Sequence, residues 1–344
     1  MLSLVLILLS LHSIGQIACQ GEIVYPLDAN DGDPCTLTSG GVGQCQRFSE
    51  CGRKYSDRRT ICGFFGNEPI ICCDVVRRQC EGIRPTMRRI SDHVVGDVHT
   101  ADVGEFPFMA LITYINAGYE VGDEDLSHHR CGAALLSTRF LLTAAHCIKT
   151  DLIPYAVKLG TNDATDAGAD SYLIDTVYVH EENKKRQNDI GIVKLVKDIA
   201  LNDQIKPICV YTNPEELSES VDLTVMGWGI GNDEELSGVL LKGTVHPVPR
   251  SICQARFNAG LSKRIQLQDT HMCALGDKNE NGTATDTCQG DSGGPMVLKE
   301  DDQNYLVAIV STGQGCGSEH YAGVYTRVNK FLPWIIEKGV FLSL

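Results

Sequence analysis

The chain has 344 residues, 43% of them hydrophobic, and a formal charge of −14 from 30 basic and 44 acidic side chains. That length gives room for one large domain and a smaller one, and the acidity argues against nucleic acid as the main partner. Fifteen cysteines are too many for an ordinary reducing cytosol and point to disulfides formed in an oxidising compartment.

Leu4 to Leu9 are nearly all aliphatic, and apolar character runs to about Ala18 before polar sequence begins at Gln20. Residues 1–20 therefore read as a secretory signal peptide, too short for a comfortable membrane span, although no Lys or Arg stands near Met1. Removal of Cys19 with that segment takes the fifteen cysteines to fourteen, an even number that suits complete pairing. No other stretch is long and apolar enough to span a bilayer, so the expected location is extracellular.

Residues 35–73 hold Cys35, Cys45, Cys51, Cys62, Cys72 and Cys73. So many cysteines in so short a segment leave little room for an apolar core, and a disulfide knot is expected to hold it. Zinc is the competing reading, but the C-x-x-C and His spacing of zinc modules is absent. Counting does not choose among the possible pairings. Residues 74–93 carry Arg77, Arg78, Arg84, Arg88, Arg89 and a lone Cys80, and read as an exposed linker open to proteolysis. Residues 35–93 are mildly basic and residues 94–344 strongly acidic. That split is either solvated surface or an electrostatic seat for the front segment on the back.

Beyond Val94 come short apolar runs between turn signals, among them Phe140–Ala145, Thr176–Val179, Ile190–Val196, Leu223–Met226, Tyr305–Val310 and Val324–Val328. Only Lys330 to Lys338 reads as a helix. The expectation over 94–344 is an all-β barrel or sandwich with a C-terminal helix.

Three residues stand out chemically. Ser292 lies in the glycine-rich stretch Gly290-Asp291-Ser292-Gly293-Gly294-Pro295, a turn able to present a nucleophile and aim backbone N–H groups at a developing oxyanion. The same residues fit the G-x-S-x-G elbow of α/β-hydrolases. His146, in Thr143-Ala144-Ala145-His146-Cys147, is the candidate base. Asp189 enters an apolar run at Asp189-Ile190-Gly191, costly unless it is hydrogen-bonded, and is the candidate partner of the imidazole. The order His, Asp, Ser and the absence of βαβ alternation count against the hydrolase elbow.

On these three motifs the region from Val94 to about Leu344 resembles the chymotrypsin-fold serine proteases. The resemblance implies two packed β-barrels with the active site between them, Ser292 as nucleophile, His146 as general base and Asp189 as its orienter. It implies an oxyanion hole from the N–H groups of Gly290 and Ser292. It places Asp286 at the base of the S1 pocket with Gly313 and Gly323 keeping the pocket open, hence cleavage after Arg or Lys. Thr312 departs from the Trp that most members carry. Val94-Val95-Gly96-Asp97 resembles the activation site, where a new N-terminal ammonium meets a carboxylate, here Asp291. The residue before it is His93, so an upstream protease that accepts His is expected rather than a trypsin-like one.

The spacings of 9, 5, 10, 9 and 0 residues between the six front cysteines resemble the clip domain of arthropod clip-domain serine proteases, and the non-basic activation residue resembles the subgroup of Snake and Persephone. That resemblance implies the pairs Cys35–Cys72, Cys45–Cys62, Cys51–Cys73, Cys80–Cys209, Cys131–Cys147, Cys253–Cys273 and Cys288–Cys316. It also implies a zymogen acting on a downstream protease precursor in an immune or developmental cascade, restrained by a serpin-type inhibitor. A silent adaptor and a digestive trypsin are the alternatives. Asn281 is a glycosylation acceptor, and His128-His129 reads as solvated loop. No cofactor is expected. The acids Asp163, Asp166 and Asp170 raise a structural calcium as the one metal to consider, with plain acidic loop the default.

Overall fold

The structure, a computed structural model, describes residues 29–83, 98–115, 130–230, 236–259, 266–277, 290–312 and 322–341. The expected signal peptide, His93, Val94, His128, His129, Asn281, Asp286, Cys288, Gly313 and Cys316 lie outside these residues.

The front segment is a small antiparallel sheet of β1 (Pro34–Thr36), β2 (Val42–Arg47), β3 (Ser56–Phe65) and β4 (Glu68–Cys73) in the order β1-β2-β4-β3, with a single turn of helix, α1 (Phe48–Cys51). Its own apolar cluster is little more than Leu37, Ile70 and cysteines. Crosslinks make up the deficit: Cys35–Cys72, Cys45–Cys62 and Cys51–Cys73. Every front sulfur is therefore spent on another sulfur, and a zinc site has no thiolate to use.

The stretch expected to be linker opens instead as helix α2 (Val75–Gly82). Asp74 caps it, its carboxylate accepting the N–H of Arg77 at 3.0 Å, a contact worth ~1 kcal/mol. Val75, Val76 and Gln79 share the buried face, while Arg77 pairs outward with Glu81 at 3.0 Å.

After β5 (His99–Thr100) the chain builds two barrels. The first is the closed ring β10-β11-β8-β7-β6-β9, from β6 (Met109–Ile115), β7 (Cys131–Leu135), β8 (Phe140–Thr143), β9 (Ile153–Leu159), β10 (Asp170–Val179) and β11 (Gly191–Leu195). Between β8 and β9 stands the one-turn helix α3 (Ala145–Ile148). β12 (Cys209–Val210) then crosses to the second barrel and runs parallel to one of its strands. That barrel is β13 (Leu223–Gly227), β14 (Leu241–Val248), β15 (His271–Leu275), β16 (Pro295–Glu300), β17 (Gln303–Thr312) and β18 (Gly323–Arg327), the path β17-β16-β13-β14-β15-β18 closing through β17–β18 pairing. Buried Leu135, Leu141 and Val193 fill the first barrel, and Leu223, Val245, Met296 and Tyr325 the second. This is a chymotrypsin-like double barrel.

Helix α4 (Arg250–Ala259) was not anticipated, because it buries only Cys253 and Phe257, a thin apolar signal. The C-terminal helix is shorter than the sequence implied: a 3-10 turn over Val328–Phe331 precedes α5 (Leu332–Glu337), which has its proline in the first turn, where a missing N–H costs nothing.

The front sheet is seated by apolar and covalent contacts, not by its basic charge. Val75 and Val76 join the same core cluster as Ile335 and Phe341, β1 and β2 rest against α5, and the Gln79 amide donates to the carbonyl of Leu136. The ion pairs of the front segment's described residues are internal to it. Cys80–Cys209 locks α2 to β12. A single cut anywhere in 84–97 is thus expected to give one species on a non-reducing gel and two after reduction. Release of the N-terminal piece without reductant would contradict the seating.

Candidate active site

Asp189 lies just before β11, buried to 4% exposure. Such a carboxylate survives only if its lone pairs are used. One oxygen accepts the backbone N–H of His146 at 3.0 Å, and the other accepts the Nδ1–H of His146 at 2.8 Å and the Ser311 hydroxyl at 2.6 Å. Its own carbonyl takes the Thr326 hydroxyl at 3.0 Å. Burial alone would raise the Asp189 pKa. The hydrogen bonds and charge of His146, with the Ser311 hydroxyl, outweigh it and hold the carboxyl below its ordinary value. An ionised carboxylate only accepts, so Nδ1 carries a proton. The ring is 44% exposed, and its segment is pinned by Cys131–Cys147.

The Ser292 turn is held by backbone bonds to both barrels and within itself. Gly132 N–H donates to the Ser292 carbonyl at 2.8 Å, Gly293 N–H to Val310 at 2.9 Å and Gly294 N–H to Asp291 at 2.9 Å. Gly293 has φ 76°, and a methyl on it would sit 2.2 Å from Thr143 Oγ1 and 3.1 Å from Cys147 Sγ. The serine turn therefore lies directly on the segment that carries His146. Among the described residues the N–H groups of Gly290 and Ser292 make no backbone–backbone hydrogen bond.

Asp291 sits behind this turn. Its Oδ1 accepts the Gly229 N–H at 2.8 Å. A methyl on Gly227 would lie 2.1 Å from that oxygen, and one on Gly229 2.6 Å from both oxygens, so Gly227 and Gly229 must both be glycine to admit it. Between them Trp228 donates Nε1–H to the Asn162 carbonyl at 2.9 Å, and Asn162 Nδ2 reaches the Ala101 carbonyl at 3.0 Å. β5 pairs with β14, and Leu241 of β14 is in register with both Thr100 and Gly227, so the chain at Thr100 is held one strand away from Gly227.

Gly323 opens β18, and Thr312 ends β17 beside it, paired to Val324. Sequence reading singled out Thr312 and Gly313 but passed over Ser311, the residue before them, whose hydroxyl reaches Asp189. A serine next to two positions already under scrutiny was the available signal. Gly227-Trp228-Gly229 was likewise missed, although glycines bracketing a tryptophan mark a close backbone approach.

The calcium reading fails on geometry. Lys158 Nζ donates to the carbonyls of Ala164 at 3.3 Å and Asp166 at 3.0 Å, so an ammonium already uses the loop's inward oxygens. Asp163 accepts from Thr165 N–H at 2.8 Å, and Asp166 from Gly168 N–H at 2.8 Å. These residues do not fit a calcium ion, which wants six to eight free oxygens. Millimolar EDTA is expected to leave Tm unchanged within about 1 °C. Stabilisation by several degrees on adding Ca²⁺ would show that the loop binds it after all.

A family model described as Trypsin matches residues 95–335. Serine protease Hayan of Drosophila melanogaster is 33% identical over 74% of this chain, which spans 40% of that protein. CLIP domain-containing serine protease C9 of Anopheles gambiae is 28% identical over 96% of this chain and 92% of its own length. Spaetzle-processing enzyme of Drosophila melanogaster is 30% identical over 72% of this chain and 66% of its own.

Proposed function

Because the chain belongs to the trypsin family of serine endopeptidases, we propose that it is a secreted zymogen which, once cut after His93, hydrolyses peptide bonds that follow Arg or Lys in another protein precursor. Ser292 Oγ attacks the scissile carbonyl, and His146 Nε2 takes the hydroxyl proton and later passes it to the leaving amine. Asp189 keeps the proton on Nδ1 and balances the imidazolium. The N–H groups of Gly290 and Ser292 receive the oxyanion, worth ~3–4 kcal/mol of the barrier. The observation that carries this reading is the His146–Asp189–Ser311 network facing a serine turn that rests on His146's own segment.

Specificity for Arg or Lys rests on Asp286, with Gly313 and Gly323 leaving space for the long side chain. Activation rests on Asp291 as the acceptor of the Val94 ammonium. Removing one partner of a buried ion pair typically costs ~3–5 kcal/mol, so a Val94 ammonium reaching Asp291 would favour the cut form by a comparable amount. The six disulfides among the described residues, the proposed seventh pair Cys288–Cys316, the apolar N-terminus and the proposed glycosylation of Asn281 fit an extracellular fluid. Relatives named for processing Spaetzle or activating phenoloxidase support a place between an upstream protease and a downstream precursor, under a serpin-type inhibitor. His93 supports the Snake and Persephone subgroup.

The test is a chain cut after His93 and offered peptides that differ only in the residue before the scissile bond. Arg and Lys are expected to exceed Phe, Leu and Glu by at least about 10³-fold in kcat/KM, and Asp286→Ser to abolish that preference. N-terminal sequencing of active material should read Val94-Val95-Gly96. A start at Ile90 would sink the activation assignment.

A further inference from the structure

The second barrel holds a cavity of about 320 Å³ that shares no lining residue with the Asp189, His146 and Ser292 site. It lies between the 211–219 loop, the corner that leads into α4, β15 and the end of β18. One wall is apolar: Leu217, Val248, Met272 and Val307. The other presents two guanidinium groups. The Arg327 side chain is only 9% exposed, and its Nη2 donates to the carbonyls of Pro214 at 3.1 Å and Glu215 at 3.2 Å. Its Nη1 stands 3.8 Å from Glu216 Oε1, and Arg250 Nη1 stands 3.8 Å from that same oxygen. Neither distance is a hydrogen bond. The Arg250 side chain is 37% exposed overall, but its Nη1 atom is buried and has no hydrogen-bond partner among the described residues.

A buried cationic donor without an acceptor is costly and calls for an occupant. Glu216 lies at ion-pair distance from both guanidinium groups but is 62% exposed and hydrogen-bonds neither, so it leaves the donor unsatisfied. The chemistry of the walls limits what does. Two convergent guanidinium groups select a carboxylate-like anion. The apolar wall selects a hydrocarbon body. Exposed Glu215, Glu216 and Glu219 at the rim repel a polyanion and admit a single negative charge. The volume equals about ten waters, room for a medium-length chain.

We propose that this cavity binds an amphiphilic carboxylate, the acid group bridging Arg250 and Arg327 and the hydrocarbon lying along Leu217, Val248, Met272 and Val307. The test is calorimetric titration of the full-length zymogen with sodium octanoate, with 1-octanol as the uncharged control and inorganic sulfate as the control without hydrocarbon. Octanoate is expected to bind saturably and to raise Tm. Arg250→Met should weaken it on the order of ten- to a hundredfold, the loss of a hydrogen bond to a charged group. Val248→Trp, which adds bulk to the cavity while leaving both arginines in the sequence, should abolish binding and serves if the arginine variant does not fold. Octanoate that fails to saturate overturns the proposal. So does binding as tight for octanol or sulfate, or an affinity unchanged in both variants.

Discussion

Asp189→Asn lowers kcat about ten-thousandfold while KM moves little. The reason lies in the count of donors. Asp189 accepts from His146 N–H, His146 Nδ1–H and Ser311 Oγ–H at once. An amide has one acceptor oxygen and an NH₂ that only donates, so one of these donors would face another donor. The imidazole escapes by moving its proton to Nε2, and the lone pair needed by Ser292 is lost. Nothing in this change touches the substrate, hence the expected confinement to kcat. A loss below tenfold would falsify the assignment of Asp189.

The same residue sets a pH signature. Its folded pKa is depressed, so its contribution to stability is present above the ordinary carboxylate pKa and is lost as pH falls through the lower folded value. Wild-type Tm should therefore drop across that acid window, and Asp189→Asn should lose that part of the slope. An identical acid limb in both proteins would show that Asp189 is not the group responsible.

Ser292→Ala is expected to cut peptide hydrolysis on the order of a millionfold and to leave Tm within about 2 °C. The turn is held by backbone bonds through Gly132, Gly293 and Gly294, none of which needs the hydroxyl. This variant also separates enzyme from adaptor. If reconstituted signalling ran at full strength with it, the chain would act by binding alone.

Much of this was legible because the chemistry demands rare local patterns. A nucleophile in a glycine turn, a histidine beside a cysteine and an acid entering a buried strand each stand out against their neighbours. The all-β class followed from short apolar runs without long helices, and the double barrel from the resemblance carried by the three motifs. What escaped had no local mark. Ser311 is an ordinary strand residue until β17 is brought to Asp189 from far along the chain. Lys158 reads as a surface lysine until its ammonium is found inside the 160–170 loop. Helix α2 was taken for linker because arginines dominate its composition, although Asp74 before Val75 and Val76 was a fair start signal. At the junction, where electrostatic seating was one of two readings, a pair of valines and a cysteine decide the contact.

The seating of the front sheet on α5 carries a consequence for biosynthesis. The sheet and its three crosslinks can be complete once Cys73 is made, yet the helix they rest on, Leu332–Glu337, is translated more than 250 residues later. Cys80 must also wait for Cys209, 129 residues later. At ribosomal speeds that is on the order of ten seconds, a reactive thiol kept open in an oxidising lumen. The folding of this protein therefore depends on keeping its own front end idle, and Cys80→Ser should secrete with fewer scrambled disulfides than Cys209→Ser, which strands the early thiol.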